Sequence, residues 1–253
     1  WFNDLLTLFL VGFWIFGTVF IYARHFEPNL LLVKETRIQT GFEARIALIA
    51  DPHLGDFKDQ RYLAKVVDEI NNLEDIDMVL VAGDWTYLPT ATAEQLNTLF
   101  EPLSNLKKPT YGVLGNHDVE KPGPKIRDIL VPALEKSGVT MIDNQIVKID
   151  SITLVGLGSF LADEDRISLL DELDESDNVV VLSHNPDTSS KYTNNHADLS
   201  LFGHTHGGQI RIPFIYQYFI PTQGDFDKGL SENENGQIFI SSGVGEVGLP
   251  LRL

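Results

Sequence analysis

Lys108-Pro-Thr-Tyr-Gly-Val-Leu114 running into Gly115-Asn116-His117-Asp118 decides the reading of this chain. The first part has strand character, with a Tyr-Gly-Val-Leu ending. The second part is a turn residue, an amide, an imidazole and a carboxylate, side chains with little to offer an apolar core. Taken alone, Asn-His-Asp reads equally well as a polar turn. Its neighbours in the chain decide otherwise.

The same construction, an apolar run with Asp, His or Gly directly after it, recurs four more times. Arg45–Ala50 ends on Asp51-Pro52-His53, Asp77–Ala82 on Gly83-Asp84, Asn178–Ser183 on His184-Asn185-Pro186, and Ala197–Phe202 on Gly203-His204-Thr205-His206-Gly207-Gly208. Five of the seven His fall at such ends, and His25 and His196 read as ordinary surface residues. Between the runs, residues 59–72 carry apolar side chains at Tyr62, Leu63, Val66, Val67 and Ile70, a helical stripe. Residues 92–106 predict a second helix that Pro102 kinks or ends early, and a third falls within 125–136. Strand alternating with helix predicts a parallel sheet, whose carboxyl ends carry the site. Further on, 145–149 and 152–157 predict a hairpin, 163–173 a short acidic helix, and 209–212 and 237–241 late strands.

Gathered at one sheet edge, Asp51, His53, Asp84, Asn116, His117, His184, His204 and His206 are too many ligands for one ion. Imidazole, carboxylate and amide donors without thiolate suit Mn²⁺, Fe or Zn²⁺. Two such ions would share a carboxylate, orient a phosphoryl group and lower the pKa of a bound water to near 7.

The 253 residues suffice for one α/β domain with a sizeable core. A formal charge of −17 argues against stable nucleic-acid binding, which needs clustered Lys and Arg. Zero Cys removes thiol nucleophiles, disulfides and Cys zinc sites. The N-terminal segment stands apart: Leu5–Tyr22 holds no charge and would reach ~27 Å as a helix, close to a bilayer core. The division expected is a transmembrane anchor over 1–24, a linker and entry strand over 25–44, and a catalytic domain over 45–253. A cleaved signal peptide is the rival, without a basic n-region or small-residue cleavage site in its favour. Arg24, His25, Lys34 and Arg37 come after the span, which places the catalytic domain in the cytoplasm as a single-pass inner-membrane protein.

The five blocks, intact and in order from about Arg45 onward, resemble the calcineurin-like metallophosphoesterases. That resemblance implies a four-layer α/β/β/α sandwich and a metal-dependent hydrolase using two divalent ions, Mn²⁺ foremost. It implies that Asp51, His53 and His206 hold one ion, Asn116, His184 and His204 the other, with Asp84 between them. It further implies that His117 contacts the phosphoryl group and that Asp118 holds its ring; the alternative for Asp118 is a residue that only closes the turn. Gly207-Gly208-Gln209 and the ending Ser241–Arg252 resemble a membrane-anchored bacterial branch that includes pyrophosphatases acting on UDP-2,3-diacylglucosamine in lipid A synthesis. The implied substrate is thus a phosphorylated small molecule or a lipid-linked phosphodiester or pyrophosphate. A broad phosphodiesterase, a nuclease, a protein phosphatase or an inactive metal-dependent scaffold are the competing readings. The apolar run Ile212–Ile220 reads as a segment packed on the domain in preference to a surface for acyl chains. Arg252 reads equally as a phosphate partner or as an exposed residue.

Overall fold

The computed structural model describes residues 1–87, 90–119, 125–192, 197–233 and 236–253. It opens on α1 (Phe2–Ile21), none of whose residues is buried. Together with the short turns after it, α1 forms an apolar helical stretch over Phe2–Asn29, long and apolar enough to cross a membrane. This is the one candidate span among the described residues.

The domain begins with β1 (Ile46–Ile49), then the two-residue β2 (Leu54–Gly55), α2 (Gln60–Asn71), β3 (Met78–Ala82), the two-residue β4 (Thr86–Tyr87) and α3 (Ala93–Phe100). After these come β5 (Thr110–Val113), α4 (Arg127–Lys136), β6 (Val139–Met141), β7 (Gln145–Ile149), β8 (Ile152–Gly156), β9 (Asn178–Leu182), β10 (Leu199–Phe202), β11 (Gly229–Asn233) and β12 (Gly236–Ile240). Local chemistry sets the helix starts. The Asp59 carboxylate accepts from the amides of Arg61 and Tyr62 ahead of α2, and Thr92 with Gln95 forms a reciprocal capping box ahead of α3. Pro102 stands just past α3, where the chain tightens into a 3₁₀ turn over Glu101–Asn105, the early ending its ring imposes.

Two sheets stack face to face. The first runs β1-β3-β5-β6, all parallel; the second runs β11-β12-β10-β9-β8-β7, parallel at its centre with antiparallel pairs at both edges. Leu80, Ala82 and Val113 of the first sheet meet Leu154, Leu182 and Leu201 of the second in one buried cluster, the core between the sheets. Helices α2, α3 and α4 bury Leu63, Val67, Leu96, Phe100, Leu130 and Leu134 against the outer face of the first sheet. The outer face of the second is covered through Leu169 and Leu170 against Val179 and Val181. The expected α/β/β/α sandwich therefore forms, with one change in the fourth layer. Instead of an α-helix over 163–173, the chain makes 3₁₀ turns at Phe160–Ala162 and Ile167–Glu172. Asp163 in the left-handed region (φ 55°) interrupts the run, and the Asn144 side chain ties down the backbone of Gly158, Glu164 and Arg166 in place of helical bonds.

Two other expectations fail. No strand forms over 30–45; Ile38 and Phe42 pack against the inter-sheet core without joining a ladder. Nor is 209–212 a strand, because Gly207, Gly208 and Gln209 in succession take positive φ and turn the chain. His25 is exposed as expected, and His196 lies outside the described residues.

Candidate metal centre

Each chemistry-bearing block sits just past the carboxyl end of a buried strand, and the sheets bring these ends together. The contact between β3 and β5 is backbone on backbone. A Cβ on Gly83, itself at φ +78°, would lie 2.7 Å from the Gly115 nitrogen, and one on Gly115 would lie 2.1 Å from an Asp84 oxygen. Only glycine fits at either position. The consequence is that Asp84 reaches the loop after β5, where its Oδ1 accepts the His117 amide at 2.8 Å.

Asp51, His53, Asp84, Asn116, His184, His204 and His206 are all buried. Five of them, Asp51, His53, Asp84, His204 and His206, have left-handed backbone, an unfavourable state for side-chain-bearing residues that clusters at functional sites. Their donor atoms converge in groups: Asp51, His53 and His206; Asp84, His184 and His204; and His53, Asp84 and His117, in each case within 4.8 Å. Asp84 Oδ2 lies 3.3 Å from His53 Nε2 and 3.1 Å from His184 Nε2, between two of the groups. Asn116 Oδ1 is 3.1 Å from His184 Nε2. All seven expected ligand positions are thus brought together, with His117 at their edge, its ring centroid 4.8 Å from that of His53.

The hydrogen-bond pattern fits cations. His184 Nδ1 is 2.8 Å from the Ala82 carbonyl and His204 Nε2 is 2.8 Å from the Pro221 carbonyl. A carbonyl only accepts, so these nitrogens carry hydrogens, and the opposite nitrogen of each ring is the one left to take an ion. Those opposite nitrogens, His184 Nε2 and His204 Nδ1, face each other at 3.1 Å. His53 Nε2 and His206 Nε2 face each other at the same 3.1 Å, while both of their Nδ1 atoms are buried without partners. Such facing nitrogens repel unless a proton or a metal ion lies between them.

The electrostatics set His184, which holds a proton here and would release it to an ion, apart from His204 and His206. Burial pushes the Asp51 carboxyl up to about 6, with His184 opposing and Asp84 adding to the rise. Burial also works against charge on Asp84, but His184 and His53 outweigh it and hold this carboxyl well below its usual range. Burial likewise disfavours charge on His184, yet Asp84 and Asp51 lift it to about 9. His204 falls to about 4, through burial and then His184, and His206 is held well below its usual range, through burial and then His53. Two imidazoles held neutral beside two carboxylates are in the protonation states that metal ligation requires.

Asp118 corrects one expectation. Fully buried, it accepts from the amides of Trp85, Thr86 and Gly115 and from the Thr86 hydroxyl at 2.9 to 3.1 Å, and makes no hydrogen bond to the His117 ring. Three amides pointing into the turn claim its oxygens first, so it fastens the β5 loop to the β3 loop. Arg252 is neither a free phosphate partner nor simply exposed: its guanidinium donates to the carbonyls of Ser242 and Gly245. Two contributors to the cluster wall receive no role in the sequence reading. Tyr87 stacks edge-on against His53 with centroids 5.4 Å apart. The 243–245 turn backs Asp51, Gly245 donating to its carbonyl at 2.8 Å.

Residues 44–208 match the family model described as calcineurin-like phosphoesterase. The chain belongs to this family. A metallophosphoesterase of Helicobacter pylori is 32% identical over 233 residues, covering 87% of this chain, which in turn spans 60% of that relative's length. Phosphodiesterase YaeI of Escherichia coli is 27% identical, covering 90% of this chain and 86% of its own. UDP-2,3-diacylglucosamine pyrophosphatase LpxG of Chlamydia muridarum is 26% identical, covering 77% and 74%. Membership explains why carboxylates and imidazoles are concentrated at this one sheet edge.

Proposed function

We propose that this chain is a membrane-anchored phosphohydrolase that uses two divalent metal ions to cleave a phosphodiester or pyrophosphate bond, with UDP-2,3-diacylglucosamine as the foremost candidate substrate. The observation that carries the reading is the pair of buried imidazole couples facing each other at 3.1 Å across shared carboxylates. In this arrangement Asp51, His53 and His206 would hold one ion, Asn116, His184 and His204 the other, and Asp84 both. Mn²⁺ is the ion of first choice, and Fe and Zn²⁺ satisfy the same donors. Ions of this class, when bound, neutralise phosphoryl charge and acidify a coordinated water.

The residues themselves do the rest. Asp84, reached from both histidine couples, fixes their spacing. The carbonyls of Ala82 and Pro221 hold the His184 and His204 rings in one tautomer and orientation. His117 is half-buried at the edge of the cluster, and burial pushes its pKa down to about 4, with His53 and His184 opposing its charge and Asp84 favouring it. It therefore stands as a neutral imidazole, offering one N–H to a phosphoryl oxygen. Asp118 keeps the loop bearing His117 against β3 and does not act on the ring.

Relatives named for cleaving a diester or a pyrophosphate support the bond class, and an apolar helix whose foot bonds to the C-terminal segment at Ala23 supports a substrate that lives in the bilayer. Cations just after the span support a catalytic domain on the cytoplasmic face of an inner membrane.

Three results test the reading. Detergent-solubilised, Mn²⁺-loaded protein is expected to release UMP from UDP-2,3-diacylglucosamine and to spare water-soluble UDP-sugars; hydrolysis of bis-p-nitrophenyl phosphate alone would reduce the assignment to a broad phosphodiesterase. His117→Ala is expected to keep its metal content and lose roughly 10²-fold in turnover; unchanged turnover would remove His117 from the reaction. Adding Mn²⁺ to chelator-stripped protein at about 100 times Kd is expected to raise Tm by roughly 5 to 10 °C, from ~2.7 kcal/mol of binding linkage. An unmoved Tm in calorimetry would argue against a buried metal site.

A further inference from the structure

Ile212–Ile220 does not pack on the domain, contrary to its sequence reading. Phe214 is 89% exposed, Tyr218 84% and Phe219 77%, with Ile212 and Ile215 about half exposed. This is not a loose loop. Arg211 grips both Asp227 oxygens at 2.6 and 2.8 Å, donates to the Tyr216 hydroxyl at 2.6 Å and stacks on the Tyr216 ring at 3.9 Å. Its polar groups are satisfied inward while its apolar ones point out. Phe214 is even held left-handed (φ 69°), a costly state for a bulky residue. A patch of this kind marks an interaction surface.

What covers it is indicated by what adjoins it. The Arg211 amide donates to the Leu253 carbonyl, the Leu253 amide to the Gln209 carbonyl, and the Arg252 amide to the Ala23 carbonyl, so the loop, the C-terminal segment and the foot of the apolar helix form one bonded surface. On the other side Pro221 accepts from His204 of the metal cluster. Charge points the same way. In a chain of net charge −17, partial burial and then the nearby charges of Arg211, Arg252 and Lys34 lower the Lys228 pKa against the opposing pull of Asp227, and Arg24 acts on Glu246. Lys228 itself lies against Gly207, next to His206.

The geometry points to a second membrane contact: the 212–220 loop seats its aromatic face at the headgroup–acyl boundary of the bilayer that α1 crosses, with the cationic collar of Arg24, Lys34 and Lys228 on anionic headgroups, so that the metal cluster is held at the lipid surface. This rests on the reading of α1 as an anchor. It gives a substrate with a membrane-embedded tail a short path from bilayer to site, and it makes the bilayer itself a binding partner.

The absence of Cys allows a direct test on the full chain. Phe214→Cys and, separately, Phe219→Cys are labelled with an environment-sensitive NBD probe and reconstituted in phosphatidylcholine–phosphatidylglycerol vesicles carrying doxyl lipids. Glu74→Cys, exposed at the opposite ends of the strands, is the reference. The loop probes are expected to shift to the blue and to be quenched, more strongly than in phosphatidylcholine alone, while the Glu74 probe is not. Loop probes as water-exposed as the reference would overturn the proposal, and quenching indifferent to lipid charge would overturn the part given to the collar. Release of the unsubstituted chain by a carbonate wash would overturn it together with the anchor. Because the probe needs no turnover, failure of the phosphohydrolase reading would show separately, as absent diester hydrolysis in the same samples. A Phe214→Ser/Phe219→Ser chain is expected to keep hydrolysis of bis-p-nitrophenyl phosphate and to lose about tenfold on a vesicle-embedded substrate; equal losses on both would contradict a lipid-facing role.

Discussion

Asp84→Asn is expected to hold no more than one metal ion per chain and to lose roughly 10³-fold or more in hydrolytic rate, while remaining folded. Asp84 Oδ2 lies within 3.3 Å of His53 and His184, which belong to different ligand groups, and Oδ1 accepts the His117 amide at 2.8 Å. An amide keeps the second of these roles and, like aspartate, tolerates the left-handed backbone at this position (φ 54°). What it removes is the negative charge that both ions would share. Metal content by plasma mass spectrometry and turnover on a generic diester check this together. Two ions per chain with turnover within about tenfold of the unsubstituted protein would show that Asp84 is not shared.

The second large effect concerns stability. Lys58 and Glu246 are only 4% and 2% exposed, and their charged atoms are 3.4 Å apart. Lys58 also donates to the Pro28 carbonyl at the foot of the apolar helix and lies 4.0 Å above the Tyr62 ring. Tyr62 in turn donates to Val244, whose amide bonds the Ala50 carbonyl beside Asp51. One buried pair thus joins the helix foot to the wall of the metal cluster. Lys58→Met leaves Glu246, which already has one oxygen without a hydrogen-bond partner, as a buried charge stripped of its ion-pair partner. The expected loss is roughly 3 to 5 kcal/mol. Lys58→Met/Glu246→Met removes both charges and is expected to recover much of it. Urea unfolding of the detergent-solubilised chain distinguishes the two; equal losses in the single and double variants would mean that lost packing, not stranded charge, dominates.

Much of this is legible in the amino-acid sequence, for a reason particular residues make plain. A ligand at the end of a buried parallel strand is preceded by an unbroken apolar run, so Asp51, Asp84 and His184 announce themselves through the residues before them. Asn116 and His204 are legible in the same way. The hairpin of β7 and β8 is written in two short apolar-rich runs divided by Asp150-Ser151. What stays hidden depends on partners far along the chain. The Asp118 side chain could have reached His117 in the same loop, and only the arrival of the Trp85 and Thr86 amides decides against it. Lys58 and Glu246 are ordinary surface types in sequence, and their burial comes from a pairing 188 positions apart. The 212–220 run has the composition of a core segment, and its exposure comes from the inward pull of Arg211, Tyr216 and Asp227. Covalent neighbours predict strand ends well and say little about what closes over them.

The most direct test of the central claim is a metal titration of the chelator-stripped, detergent-solubilised chain, with bound Mn²⁺ and the rate of bis-p-nitrophenyl phosphate hydrolysis measured in the same sample. The account predicts no measurable hydrolysis without metal and a rate that reaches its plateau as the second ion per chain is bound. A chain that binds two ions and leaves the diester intact, or one that hydrolyses it fully without metal, would contradict it.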